Sequence, residues 1–314
     1  MKIIVTGALG HIGSQVIREL PRYLGDCKIV MIDNLKTQRY ASLFNLPEKA
    51  SYQFVEGDVT TMDLQPVLTG AAAVVHLAAL TDATASFERA QDVEHVNFTA
   101  TERVAEACAD LGVPMIHASS TSVYGTQNEE VDETCGEDEL KPQSPYAETK
   151  LREEILIAKM CQQGRLKGIT FRFGTIFGVS PGMRFHTAVN KFCWQAVMGQ
   201  PLTVWSTAYD QKRPYLDLGD AVRAIAFVIE RKLFTGLIYN VVTLNATVRQ
   251  VVEAIRAHVP TLDVRFVDTK IMNQLSYEVR NTRMANAGFQ VQGDIQNGIA
   301  DTITLLKNAN MEEV

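Results

Sequence analysis

Over its first 180 residues the chain alternates short, almost wholly apolar runs with longer stretches of helical pattern. The apolar runs are Lys2–Thr6, Lys28–Ile32, Tyr52–Val55, Ala73–Leu77, Met115–Ala118 and Thr170–Phe173. Between them lie helical stretches such as Ile12–Leu20, Gln91–Leu111 and Tyr146–Gln163. A strand that is apolar along its length has no face for water and must be covered on both sides. Strands joined through helices run parallel, because each crossover returns the chain to the same end of the sheet. The expectation is an α/β protein built on a Rossmann-type doubly wound parallel sheet, with ligands beyond the carboxyl ends of its strands.

The rhythm changes where Ser180-Pro181-Gly182 breaks the chain. Helices over about Phe185–Met198, Asp220–Arg231 and Thr247–His258 then alternate with short strands at Leu202–Trp205 and Leu237–Val242. Residues 1–180 are therefore expected to form a dinucleotide-binding domain carrying the catalytic groups. Residues 181–314 are expected to form mainly a smaller α/β substrate lobe, with the chain free to pass between the lobes more than once. The ending Glu312-Glu313-Val314 reads as a solvated tail.

Composition excludes several other classes. A net charge of −6 gives no basic surface to recommend nucleic acid or an anionic membrane as a partner. The longest apolar stretch, Ala71 to Leu80, is interrupted by His76 and is too short to span a bilayer. Five scattered cysteines with no Cys-x-x-Cys, and no clustered histidines, point to free thiols in a reducing cytoplasm and to no metal site.

Gly7-Ala8-Leu9-Gly10-His11-Ile12-Gly13 directly follows the first strand and opens the first helix. Its Gly-x-x-Gly-x-x-Gly spacing lets backbone approach a pyrophosphate, and the helix N-terminus supplies amide donors and a positive dipole end. Twenty positions beyond Gly13, Asp33-Asn34 ends the second strand. A carboxylate there accepts the ribose hydroxyls of an adenosine and repels a 2′-phosphate, which favours NAD over NADP. Asp58, in Gly57-Asp58-Val59 after the third strand, is a candidate contact for the adenine amino group.

Tyr146 and Lys150 stand four residues apart and so share a helix face. A lysine charge beside a phenol stabilises the phenolate and lowers a pKa otherwise near 10, which makes Tyr146 a proton acceptor at neutral pH. Upstream, Ser119-Ser120-Thr121-Ser122 closes a strand with a row of hydroxyls.

Taken in order, these segments resemble the extended short-chain dehydrogenase/reductases, and within them the NAD-dependent epimerase/dehydratase group acting on nucleotide sugars. The matching pieces are Thr6–Gly13, Asp33-Asn34, Gly57-Asp58-Val59, His76-Leu77-Ala78-Ala79, Asn97, Ser119–Gly125, the Tyr146/Lys150 pair and Arg172–Gly178. The resemblance spans nearly the whole chain, more loosely in its last third. It implies Tyr146 as catalytic acid/base and Lys150 as the holder of the nicotinamide ribose. Ser120 would be the hydroxyl that hydrogen-bonds the reacting sugar oxygen. It places Gly7, Gly10, His11, Ile12, Gly13, Asp33, Asn34, Asp58, Val59, Leu77, Ala78, Ala79, Asn97, Ser119 and Phe173 around NAD. Thr81, Thr121, Gly174, Thr175, Asn190 and Arg213 would face the sugar nucleotide, with Met183 and Arg184 as further pocket candidates and Ser122 a less certain contact. His76 is expected to be a sheet residue and Tyr124 a structural one.

Two departures from the family pattern bear on the reaction. Members that eliminate water or carbon dioxide usually place a carboxylate right after the catalytic hydroxyl residue, to take a proton from the sugar carbon. Here those positions are Thr121 and Ser122, so the resemblance implies a C4 epimerase of nucleotide-diphosphate sugars, UDP-sugars foremost, or else a ketosugar reductase or dehydrogenase. A non-catalytic dinucleotide-binding protein is the remaining alternative. The family's Arg-x-x-Asn reads Arg172-Phe173-Gly174-Thr175, and Gly174 brings no amide to the sugar. A homodimer through the helices at Gln91–Leu111 and Tyr146–Gln163 is likewise implied.

Overall fold

The computed structural model describes residues 1–81, 85–125, 130–268 and 277–309; the tail Glu312–Val314 lies outside them. The first half runs β1 (Lys2–Thr6), α1 (His11–Leu24), β2 (Lys28–Asp33), β3 (Ser51–Glu56), α2 (Gln65–Leu68), β4 (Ala73–His76), α3 (Ala90–Leu111), β5 (Met115–Ser120). It continues through β6 (Glu130–Val131), α4 (Pro145–Gln162), β7 (Gly168–Phe173) and β8 (Thr175–Phe177). Then come α5 (Ala188–Val197), β9 (Leu202–Trp205), β10 (Lys212–Asp217), α6 (Leu218–Arg231) and β11 (Ile238–Val241). The last elements are β12 (Leu244–Thr247), α7 (Val248–Arg256), β13 (Val264–Val267), β14 (Glu278–Val279), α8 (Thr282–Asn286) and α9 (Ile295–Leu306).

Seven strands form one sheet in the order β3-β2-β1-β4-β5-β7-β11, every pairing parallel. Both faces are covered, as the apolar strands require. Along β1, Ile3 and Val5 pack with Val16, Ile17 and Leu20 of α1 and with Ile225 and Val228 of α6. Ile4, pointing the other way, packs with Val104 and Cys108 of α3 and Ile157 and Met160 of α4. Each of these aliphatic side chains contributes about 1.5–3 kcal/mol by leaving water. The strand order reverses between β1 and β4, and such a reversal opens a crevice at the carboxyl ends.

The second half of the chain divides between this sheet and a smaller assembly. β8, β10 and β12 form a mixed sheet, with β10 parallel to β8 and antiparallel to β12. Its core joins Phe177, Phe192, Tyr215, Val252 and Ile299. β11 returns to the edge of the large sheet, so residues 181–314 build part of the first lobe as well. Asp220 ties the C-terminal segment down: it accepts hydrogen bonds from the backbone N–H groups of Gln292 (2.8 Å) and Gly293 (3.0 Å) and from the Thr243 hydroxyl (2.6 Å). Among the described residues no helix is long and apolar enough to cross a membrane, no group of His, Cys, Asp and Glu is placed to hold a metal, and all five cysteines are free thiols.

Candidate active site

A cleft of about 700 Å³ opens where the strand order reverses. β1 is followed by Gly7 at φ +64°, and a Cβ there would stand 2.7 Å from the backbone nitrogen of Ala78 after β4. Only glycine lets the two strand ends approach this closely. The next turn leads into α1, which begins at His11 with Gly10 before it and no side-chain cap. A helix start without a side-chain cap offers its first amides to an anion in the cleft, and these residues fit a dinucleotide pyrophosphate.

At one end of the cleft Asp33 is fixed by two backbone donors, Leu9 N–H and Leu35 N–H, each at 3.0 Å. Beside it, Asp58 accepts from Lys36 (2.8 Å) and Asn34 (3.1 Å). Partial burial works to raise the Asp58 pKa, but hydrogen bonds from Lys36, Thr60 and Asn34 outweigh it and hold the carboxyl well below the usual range. Arg39 lines this end too, its charge facing Asp33.

Ser120, Tyr146 and Lys150 stand at the other end. β5 carries Ser120 to the sheet's carboxyl edge, where its oxygen accepts from Ser122 N–H at 3.2 Å. Ser144 caps α4 by accepting from Ala147 N–H at 3.2 Å, and Pro145 occupies the first turn. Helix α4 thus starts one residue before Tyr146 and brings Lys150 beneath it. Burial pushes the Tyr146 phenol up; Lys150, Arg184 and Ser120 pull it down, Glu153 pushes it up again, and the phenol ends above its ordinary value. The lysine alone therefore does not depress the tyrosine as the helical spacing predicts.

A buried network continues below Lys150. Its ammonium donates to Glu153 Oε2 at 2.8 Å, and the same oxygen accepts from Thr101 (3.0 Å) and His117 Nε2 (2.8 Å). Glu154, one residue on, accepts from Arg172 Nε at 3.0 Å and from Ser119 at 2.5 Å. Arg172 in turn lies over the ring of Tyr124, whose hydroxyl donates to Asn240 on β11 at 2.9 Å.

Most of the residues expected at a site line this cleft: Gly7, Gly10 to Gly13, Asp33, Asn34, Asp58, Val59, Leu77 to Ala79, Thr81, Ser119, Ser120, Tyr146, Lys150, and Phe173 to Thr175. Arg184 lines it as well and donates to Thr81. Five expected residues stand outside its lining, among them Met183, whose N–H donates to Ser180 O at 3.0 Å. Asn97 is spent on the backbone of Leu80, accepting at 2.7 Å and donating at 2.9 Å. The Thr121 hydroxyl turns inward to Phe173 O at 3.3 Å. Asn190 is fully buried; it accepts from Gly178 N–H at 3.3 Å and donates to Arg184 O at 3.2 Å, tying the loop after β8 together. Arg213 sits on β10 and donates to Gln211 at 3.1 Å. His76 is a buried β4 residue and Tyr124 a buried structural one. Lys36 and Arg39, several positions beyond Asp33, and His186 also line the cleft without being singled out by the sequence pattern, and Glu153 lies below it. Glu153 had a signal in its three-residue spacing from Lys150, whereas His186 is brought in by a loop whose path no periodicity records.

A strand–glycine turn–helix at a switch point, with serine, tyrosine and lysine across the cleft, defines a dinucleotide-dependent enzyme of the extended short-chain dehydrogenase/reductase class. The chain belongs to the NAD dependent epimerase/dehydratase family, whose sequence profile matches residues 3–241. It is 32% identical over 77% of its length to an uncharacterised UDP-glucose epimerase of Bacillus subtilis, 76% of which is covered. It is 30% identical over 96% of its length to a trifunctional UDP-glucose 4,6-dehydratase/UDP-4-keto-6-deoxy-D-glucose 3,5-epimerase/UDP-4-keto-L-rhamnose-reductase of Arabidopsis thaliana. It spans 46% of that plant protein, about half its length. Among solved structures, the UDP-glucuronic acid 4-epimerase of Bacillus cereus, in complex with UDP-glucuronic acid and NAD, superposes with a TM-score of 0.85 at 25% identity, covering 98% of this chain and 100% of that one.

Proposed function

We propose that the protein is an NAD-dependent nucleotide-sugar epimerase acting at C4 through a transient 4-keto sugar, with a UDP-sugar as substrate. One observation carries the choice among family reactions: Ser120 and Tyr146 face the cleft together, yet no carboxylate follows Ser120. Thr121 turns its hydroxyl away, and the cleft's carboxylates are accounted for elsewhere: Asp33 and Asp58 by the partners above, Asp92 by exposed Arg89 at 3.1 Å. Dehydration needs a second proton acceptor at the neighbouring carbon, whereas epimerisation needs one proton shuttle.

The glycine turn and the start of α1 would hold the pyrophosphate of NAD, and Asp33 its adenosine ribose. When bound, NAD would supply a reversible hydride acceptor for the sugar carbon, with the hydride returning to the opposite face of the keto sugar. Tyr146 takes the proton from the hydroxyl on that carbon and later returns it. Ser120 donates to the sugar oxygen and keeps it in line with the phenol. Lys150 supplies positive charge as the phenolate forms, and its remaining N–H groups suit the nicotinamide ribose. The uridine choice is supported by the UDP-sugar enzymes among the relatives. Arg184, whose charge faces Tyr146, makes UDP-glucuronic acid the first sugar to test.

The test incubates purified protein, with no cofactor added, with UDP-, GDP-, CDP- and TDP-sugars and follows products by NMR. A new C4 epimer with no net change in NADH is expected. Turnover only with added NAD(P)H, or a dehydrated ketosugar as product, would overturn the assignment.

A further inference from the structure

Glu153 is a buried titratable group that the chemistry above leaves unused. Its side chain is 0% exposed and lies one helical turn beyond Lys150, on the same face of α4. Three donors converge on its Oε2, from α4 (Lys150), β5 (His117) and α3 (Thr101), while its Oε1 is buried with no partner.

The proton directions in this cluster follow from what each atom can donate. Thr101 spends its proton on Glu153, so at its oxygen it accepts from His76 Nε2 at 3.2 Å. His76 Nδ1 then accepts from the Thr6 hydroxyl at 2.8 Å, and the Thr6 oxygen accepts from the N–H groups of Leu77 (3.2 Å) and Ala78 (3.3 Å). His117 likewise donates through Nε2, and its Nδ1 lies 3.4 Å from the Thr170 hydroxyl. The donor pattern makes His76 neutral, and burial lowers the pKa of both imidazoles below the ordinary histidine value. Lys150 is then the positive charge touching Glu153. The neighbouring carboxylate, Glu154, is directed to Arg172 and Ser119 instead.

We propose that Glu153 is a positioning residue of the Tyr146–Lys150 couple: it orients the ammonium and, by its negative charge, sets the pH at which Tyr146 gives up its proton. One of three lysine donors is fixed on Glu153, which fixes the directions of the other two. A buried negative charge next to the lysine opposes the lysine's effect on the phenol. The groups facing Tyr146 are Lys150 and Glu153 from its own helix, Ser120 from β5 and Arg184 from the loop after β8. The sign is definite. Neutralising Glu153 removes the opposing charge, leaves the phenolate as the counter-ion of Lys150, and lowers the pH at which Tyr146 ionises.

This inference rests on the acid/base role given to Tyr146, and the experiment separates the two. Tyr146→Phe identifies the phenolate absorbance of this residue by difference against the parent protein, with no substrate needed. Against that reference, the NAD-loaded Glu153→Gln protein should ionise about one pH unit lower, and the acid limb of its kcat/KM profile should move by the same amount. Glu153→Asp, which keeps the charge, should restore the parent profile. An unmoved or raised midpoint in Glu153→Gln, or activity falling equally at every pH, overturns the positioning role even if Tyr146→Phe is inactive. Full activity in Tyr146→Phe overturns the catalytic reading and this inference with it.

Discussion

Tyr146 and Ser120 are asked to do different work, and their removal should differ accordingly. Tyr146→Phe keeps the ring but loses the proton shuttle, so turnover should fall by about 10²–10⁴ with NAD still bound. Ser120→Ala loses one hydrogen bond to the sugar oxygen, and its loss should be nearer a hundredfold. Steady-state kinetics with retained NAD measured in parallel checks both. Histidines make a second statement at this scale. Burial, first of all, lowers His76 to about 3, and burial together with Arg39, Arg184 and His186 lowers His11 to about 3. Unfolded, each ring titrates near 6.5. Between those values the unfolded chain binds more protons, so the stability tied to these rings is complete above about pH 6.5 and is lost as pH falls towards 3. His76 alone accounts for about 1.4 kcal/mol per pH unit at the steepest point, and His11, which keeps some solvent contact, for less. Urea midpoints at pH 7 and pH 5 should differ in that direction.

Elements separate what the sequence announces from what it conceals. β1 and β9 match their expected limits, and β2, β3, β5 and β7 are longer than expected by one or two residues, because apolar runs bounded by glycine or polar residues mark strands strongly. The glycine turn, Asp33 and the Tyr146–Lys150 turn were legible for a related reason: each is defined by neighbours in sequence. β10 and β12 were not anticipated, since Lys212–Asp217 and Leu244–Thr247 mix charge, proline and small residues and find their pairing only in three dimensions. The amide of Asn190 shows the same limit: the backbone of Gly178 and Arg184, in the loop leading into its helix, engages it in a way no sequence period records. The loop after β8 shows how such contacts build a site. Ser180 donates to His11 O at 2.9 Å, and Gly182 N–H donates to Ser14 at 3.0 Å. A Cβ on Gly182 would stand 2.3 Å from Leu9 O and 2.5 Å from Gly10 O. Gly182→Ala should therefore lift this loop off the glycine turn, cost about 1–3 kcal/mol, and weaken NAD retention. Thermal melting with and without NAD measures both effects.

At the scale of the whole molecule the two lobes are not separable pieces. β11 closes the large sheet from residues 238–241, α6 covers one face of it, and Asp220 at the start of α6 holds the segment near Gly293. A fragment ending at residue 180 would expose the β7 edge and the apolar face under α6. It should be insoluble or proteolysed within minutes, while the full chain melts in one calorimetric transition. The homodimer expected through α3 and α4 is a proposal at the same scale. Exposed Ile155 on α4 sits near the ion pair that Arg152 makes with Glu94 across the two helices. Ile155→Asp should halve the sedimenting mass if that face is the interface.

β11 also fixes an order of events during synthesis. The ribosome delivers the glycine turn about 230 residues before the seventh strand of its sheet. The nascent chain must hold an open β7 edge through the making of β8, α5, β9, β10 and α6. Emerging polypeptides in that interval are the form most in need of a chaperone.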